Sequence, residues 1–287
     1  REIQLREGPW RYLFYIHAAP AVLGAITWTV LPPEMSWPLV RAVLMSAGPA
    51  LLGMFFMGLS IRRGDLSHIA PVTGAKVLLV TGLAASLGLE QPSTELWLAA
   101  GLVLVALFLV GGNREVLRRP WRIVEPTLGL VLLACLAFSV SDNLVRWQMD
   151  VHDLAFWDFL TVSWAIRGVA IGLVLLVVCR VRGLRVLPRR AGTFWLTAPV
   201  LAAHGICIVG AFKYTNSAVL TNVLTSLRGV VTLLAVVLLA RLNIGRAERP
   251  TPGVVAARAV GSVLVCLAVW LGLSRSALEA NGFEAKP

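Results

Sequence analysis

The sequence predicts an all-α membrane protein: a polytopic helical bundle of two inverted five-helix repeats, with nine spans visible and a tenth expected ahead of residue 1. Three observations carry that reading: composition, the recurrence of apolar runs, and a register that aligns the two halves. Of 287 residues, 57% are hydrophobic and only 14% charged, with a mean hydropathy of +0.79. An ordinary soluble domain and a disordered chain are both excluded by that balance. Runs of about 20 apolar residues, the length that crosses a bilayer, recur along the whole chain between short loops rich in Arg, Pro and Gly. The net charge of +11 would suggest nucleic acid in a soluble protein. Here most arginines sit between spans, so the charge reads as membrane orientation, with a lipid bilayer and not nucleic acid as the partner.

The spans follow in order. The first covers 12–31 with Trp10 at its entrance, and the second 38–59 with Trp37 at its start. The third, 68–89, carries Thr73 and Lys76; the fourth, 95–112, opens near Trp97 and contains "GLVLVALFLVGG". The fifth, 126–147, holds Cys135 and Asp142, and the sixth, 157–179, runs from Trp157 through Arg167 to Cys179. The seventh, 193–213, contains Trp195, His204 and Cys207 and ends beside Tyr214. The eighth, 217–240, holds Arg228, and the ninth, 254–273, holds Cys266. Aromatic residues at span ends fit a belt at the membrane interfaces. The four cysteines lie in or at the end of apolar runs with no paired spacing, so they pack as small apolar side chains and suggest neither a disulfide framework nor a metal site.

Repeats decide the architecture. "GLVLVALFLVGG" at 101–112 aligns with "GSVLVCLAVWLG" at 261–272, sharing both end glycines. An offset of 152 sets Thr73 opposite Thr225 and Lys76 opposite Arg228, and an offset of 147 sets "WRYL" at 10–13 against "WDFL" at 157–160. The offset grows along the chain, as lengthened loops between two copies of one unit would make it. This register gives a first half over 1–112, a connector at 113–125, a second half over 126–275 and a tail at 276–287. The fifth span then lacks a counterpart, so one more helix of about 20 residues is expected before Arg1. Five being odd, the halves are inverted, as in many secondary transporters.

Eighteen arginines, from Arg1 to Arg258, fall on one face, against only Arg146, Lys213, Arg275 and Lys286 on the other. The positive-inside rule makes the arginine-rich loops cytoplasmic, in the inner membrane of a bacterium, with the C-terminus outside.

The segments "MGLSIRRGDLSHIAPVTG", "LGLEQPSTELWLAAGLVLVALFLVGG" with Glu90, and "KYTNSAVLTNVLTSLRG" resemble the drug/metabolite transporter superfamily in its EamA-like branch, at the third-to-fourth, fourth-to-fifth and eighth-to-ninth helix junctions. The resemblance covers nearly the whole chain through loose, apolar motifs. It implies ten helices in two inverted halves around a central cavity, with the fourth and ninth lining the substrate path. Here those helices carry Lys76 and Arg228, and some relatives that move phosphorylated metabolites use basic residues there. The chain departs from the pattern in its absent first helix and in Arg241, where an acidic residue often closes the ninth.

Lys76 lies about 12 Å into its span and Arg228 about 16 Å into its own, near the midplane of a core some 30 Å thick. A midplane charge costs roughly 3 kcal/mol or more, and from that depth a stem reaching about 6 Å does not bring the charge to the surface. The only candidate counter-ion inside a span is Asp142, read as near a helix end and within reach of Arg146 four residues on. Both cations are therefore expected to meet an anionic substrate in a wet cavity. Ser217, Thr221, Thr225 and Arg228, spaced by four, four and three, form a polar stripe with Asn222 beside it, and Thr73 stands three residues before Lys76. Any single hydroxyl there also has the ordinary role of bonding its own backbone. Arg167 is either a site residue or a side chain covered by Trp164 one turn earlier. His204 is either a proton carrier or a packed histidine.

The expected function is a secondary transporter, not an enzyme, exporting or exchanging a small anionic organic metabolite by alternating access, with the halves rocking about the site. Lys76 and Arg228 would hold the anion, and Thr73, Thr221, Asn222 and Thr225 would donate hydrogen bonds. No cofactor or metal is expected, and the protein would act as a monomer or homodimer. Proton drive is disfavoured because no carboxylate is placed at a span centre. A flippase for a phosphorylated lipid carrier is the first rival and would need a lipid-facing opening. An integral-membrane enzyme is the second, with Asp150, His152, Asp153 and Asp158 as its nearest acid–base cluster, read here as a solvated connector.

Overall fold

Nine helices form the computed structural model among its described residues, 9–63, 72–111, 126–182, 192–227, 230–231 and 252–280. They are α1 (Pro9–Val30), α2 (Trp37–Arg63), α3 (Ala75–Ser86), α4 (Thr94–Gly111), α5 (Pro126–Val151), α6 (Phe156–Arg182), α7 (Gly192–Thr215), α8 (Ala218–Thr225) and α9 (Pro252–Ala280). No strand occurs among the described residues. Segments 37–61, 127–151, 156–181 and 256–274 are long and apolar enough to cross a bilayer, so this is a helical membrane protein. Helices are what such a composition must form in lipid, because each backbone N–H and C=O is then bonded within its own segment.

Two of the helix ends that differ from expectation do so for one reason. α5 runs to Val151, beyond the expected 147, because its stop is a turn in which Leu154 N–H donates to Met149 O at 3.1 Å and Asp153 N–H to Asp150 O at 3.2 Å. Asp153 takes the left-handed conformation, with φ +42°, that such a helix stop requires. Gly88, with φ +65°, ends α3 the same way through Leu89 N–H to Ala84 O at 3.0 Å.

The chain divides into two compact units, and each draws on both halves of the sequence: residues 1–63 with 136–216, and residues 64–135 with 217–287. In the first unit α1 packs chiefly along α6, with α2 and α7 against both. Thr27 meets Thr161 through their hydroxyls at 3.1 Å, Gly24 lies against Trp164, and Gly168 lies against Ala21. Positions rising along α1 thus meet positions falling along α6, so the two are antiparallel. A Cβ on Gly168 would collide with that of Ala21; only a glycine lets these backbones approach so closely.

In the second unit α4 packs chiefly along α9, α3 and α8 pack on each other, and α3 and α8 also pack on α4. Gly261 faces the Ala106 carbonyl, 2.7 Å from where its Cβ would lie, and Gly272 faces Leu220 and Leu96. The order again runs in opposite directions, making α4 and α9 antiparallel. Their seam is a core of Ala99, Ala100, Val103, Ala106, Val265 and Ala268, small side chains that permit close packing in lipid. Exposed Trp37, Trp97, Trp157 and Tyr214 sit at helix ends, as an aromatic belt requires. Cys135 and Cys179 are buried, whereas Cys207 and Cys266 are exposed on helix surfaces; all four are free thiols.

Candidate functional site

Five of the eight expected site residues, Thr73, Lys76, Thr221, Asn222 and Thr225, lie in the second unit, on α8 and around the start of α3. Regular α-helix begins only at Ala75. Before it, Thr73 and Gly74 form a turn in which Lys76 N–H donates to Thr73 O at 3.1 Å and Val77 N–H to Gly74 O at 3.2 Å. Gly74 supplies no side chain to cap the helix. The positive end of the α3 dipole therefore lies at the half-buried Lys76, and both favour an anion.

α8 breaks in the same way. Its regular turns end at Thr225, and Ser226 N–H donates to Val223 O at 3.1 Å. The offset of 152 that sets Lys76 opposite Arg228 also sets Gly74 opposite Ser226. Each break thus falls two residues before a basic residue. Arg228 itself lies outside the described residues.

Ser217, Thr221, Asn222 and Thr225 stand at the head of and along α8, and part of their bonding is spent locally. Thr225 Oγ1 donates to Asn222 O at 3.0 Å and Asn222 Nδ2 to Ala218 O at 2.9 Å. Thr221 and Asn222 are both buried. At the head of α8, Ser217 Oγ accepts from Leu220 N–H at 3.0 Å as an N-cap. Behind it stands Glu90, placed by the turn at Gly88: its carboxylate accepts from Ser217 Oγ and from Ala218 N–H at 3.0 Å. A carboxylate on two donors at a helix N-terminus is a strong anchor. Glu90 entered the sequence reading only as part of a motif, because its partner lies 127 positions away.

Arg167 and His204 belong to the first unit. His204 is exposed on α7. Trp164, offered as one possible cover for Arg167, has its indole against Gly205. The assignment of Asp142 to Arg146 does not hold. Arg146 Nη1 donates to Asp150 Oδ2 at 3.2 Å and its Nε to Asn216 O at 2.9 Å, while the charge of Asp142 acts on Arg167. The longer α5 explains this: Asp142 stands nine residues before Val151, about 13 Å from the end, and Arg167 eleven residues after Phe156, about 16 Å in. Both depths count from the shared loop and differ by about 3 Å. Asp142 is thus not near a helix end.

From α1, buried His17 has its Nε2 3.0 Å from Met54 Sδ and its charge environment set in part by Arg167. Beside the turn loosened by Pro49, Ser141 Oγ donates to Ser46 O at 3.0 Å. At the exposed end of the unit, Asp150 and Asp153 are taken by Arg146 and by Lys213, the latter at 2.8 Å. The Lys213 ammonium holds the Asp153 carboxyl below its ordinary value through its hydrogen bond and its charge. No protein-family model matches the chain, and no curated protein matches it.

Proposed function

We propose that this chain is a secondary transporter for a small anionic organic metabolite, working by alternating access between two inverted repeats. One observation carries the reading: α3 and α8, which pack on each other, are interrupted at Gly74 and Ser226, positions the repeat register makes equivalent, each two residues ahead of a basic residue. Broken helices at corresponding positions of two halves are the sequence-readable mark of a transporter site, since half-helix ends hold charge without side-chain counterions. The helix pairing supports the same repeat. Partners equivalent by register, α1 with α6, α3 with α8 and α4 with α9, pack on each other, as elements near a twofold axis do. Ala21 and Gly168, in contact, are themselves related by the offset of 147.

In this reading Lys76 and Arg228 bind the anionic group, and Thr73, Thr221, Asn222 and Thr225 line the approach. The test is thermal stabilisation of purified protein against panels of anionic, neutral and cationic metabolites. Anions should raise the melting temperature of wild type and leave a Lys76→Ala/Arg228→Ala double variant unmoved. Stabilisation by cations alone would reverse the charge assignment.

A further inference from the structure

The chain passes between its two compact units at 63–64, at 135–136 and at 216–217. The first crossing includes Gly64, outside the described residues. The second falls within the unbroken turns of α5, where a concentrated change of dihedral angles would break the bonds between successive turns. The third is the two-residue gap between α7 and α8. There Asn216 takes the left-handed conformation, with φ +49°, which asparagine enters more readily than other side chains. Ser217 follows in an extended conformation, with φ −141° and ψ 122°.

Each side of this gap is held by a charged residue of its own unit. In the first unit, Arg146 Nε donates to Asn216 O at 2.9 Å, and Asp150 on Nη1 at 3.2 Å steadies the guanidinium. Lys213 and Asp153, at 2.8 Å, tie the end of α7 to the turn that follows α5. In the second unit, the Glu90 carboxylate accepts from Ala218 N–H at 3.0 Å and from Ser217 Oγ. The Asn216 carbonyl and the Ala218 N–H belong to successive peptide planes, each rigid in itself. One plane is therefore anchored by Arg146 and the next by Glu90, and they share only the Ser217 Cα. Between the anchors the soft rotations left to the backbone are φ and ψ of Ser217.

We propose that Ser217 is the pivot on which the two compact units turn during the transport cycle, with Arg146 and Glu90 as the positioning residues that confine the motion to it. A few residues at element ends absorb the dihedral change in hinged proteins, and rocking of rigid bodies is how such carriers alternate. This inference rests on the transporter reading and assigns it a moving joint.

The lever can be measured. Gly210 faces Phe156 and Gly205 faces Trp164, so α6 and α7 are antiparallel and the head of α6 lies toward the pivot. Val181, 25 residues past Phe156, is about 37 Å along α6. A rigid-body turn of about 15° would carry a label there by up to about 10 Å.

Spin-label distances on the purified protein in lipid nanodiscs test this without substrate. The four native cysteines are replaced by alanine, and exposed Val181 and Val260, one in each unit, by cysteine. Pairs at Val181 with Val22, and at Val260 with Leu98, lie within single units and report whether each stays folded. Ser217→Gly widens the choice of φ and ψ. It should shift or broaden the Val181–Val260 distribution by up to about 10 Å and leave both within-unit distances as in wild type. Leu136→Gly, at the crossing inside α5, should not. An unchanged Val181–Val260 distribution in Ser217→Gly, or an equal change in Leu136→Gly, overturns the pivot. If Ser217→Gly disturbs the within-unit distances, Arg146→Gln decides. That substitution releases the Asn216 carbonyl, so a broadened Val181–Val260 distribution supports the proposal and a wild-type one overturns it. Failure here removes the pivot alone, whereas failure of the anion panel removes the transporter.

Discussion

Glu90 gives the most direct energetic prediction. Its carboxylate accepts from Ser217 Oγ and from Ala218 N–H at the head of α8, where Ser217 also caps Leu220 N–H. Hydrogen bonds to a charged group contribute about 1.5–3 kcal/mol each, and a carboxylate at a helix N-terminus about 0.3–1 kcal/mol more. Glu90 is half-buried, and both bonds end on one carboxylate that water can partly replace, so the lower ends apply. Glu90→Ala should cost about 3 kcal/mol. Glu90→Gln keeps an acceptor but loses the charge, and should cost about 1 kcal/mol. Ser217→Ala removes the cap as well as one donor and should also cost about 1 kcal/mol. Because the two residues share a bond, the double variant should lose less than the singles combined. Equilibrium unfolding of the purified protein reads all four species. A Glu90→Ala protein as stable as wild type, or strictly additive losses, would mean that the carboxylate does not anchor α8.

Other outcomes are as specific. Gly168→Val should destabilise by about 1–3 kcal/mol, as overpacking does, since even a Cβ there collides with Ala21; an unchanged unfolding midpoint would contradict the close crossing. Gly261→Val, facing a backbone carbonyl that cannot turn aside, should be at least as damaging by the same assay. Asp153 is fully exposed, and its carboxyl is held low by Lys213. The sign follows: the pair's contribution is complete above the ordinary carboxylate range and fades as pH falls through the lowered value. Lys213→Met should move the Asp153 titration, followed by NMR, back up toward the ordinary range, with little change in stability.

Much of the helix plan was legible because span length and loop chemistry are set by the bilayer. The ends of α1, α2, α4, α6 and α7 lie within four residues of those expected from apolar runs. What escaped were features settled by geometry across the chain or by a single dihedral angle. The expected end of α5 at 147 came from hydropathy, which cannot see that Asp153 adopts a positive φ. That difference moves Asp142 from a helix end to a depth within about 3 Å of that of Arg167, which undoes the argument that no span centre offers a carboxylate. The break at Gly74 was invisible because glycine is tolerated within apolar helices as often as it interrupts them. Ser46, Ser139 and Ser141, buried to 0–3% exposure, sit in runs that hydropathy reads as uniformly oily. Their hydroxyls can be placed only when the facing carbonyls are known.

The contact of Gly168 with Ala21 bears on leakage as well as on packing. Two backbones separated by nothing larger than a methyl group leave no gap for an acyl chain where Gly168 meets Ala21. In the transporter proposed above, such a joint would resist uncoupled ion flow without a gate.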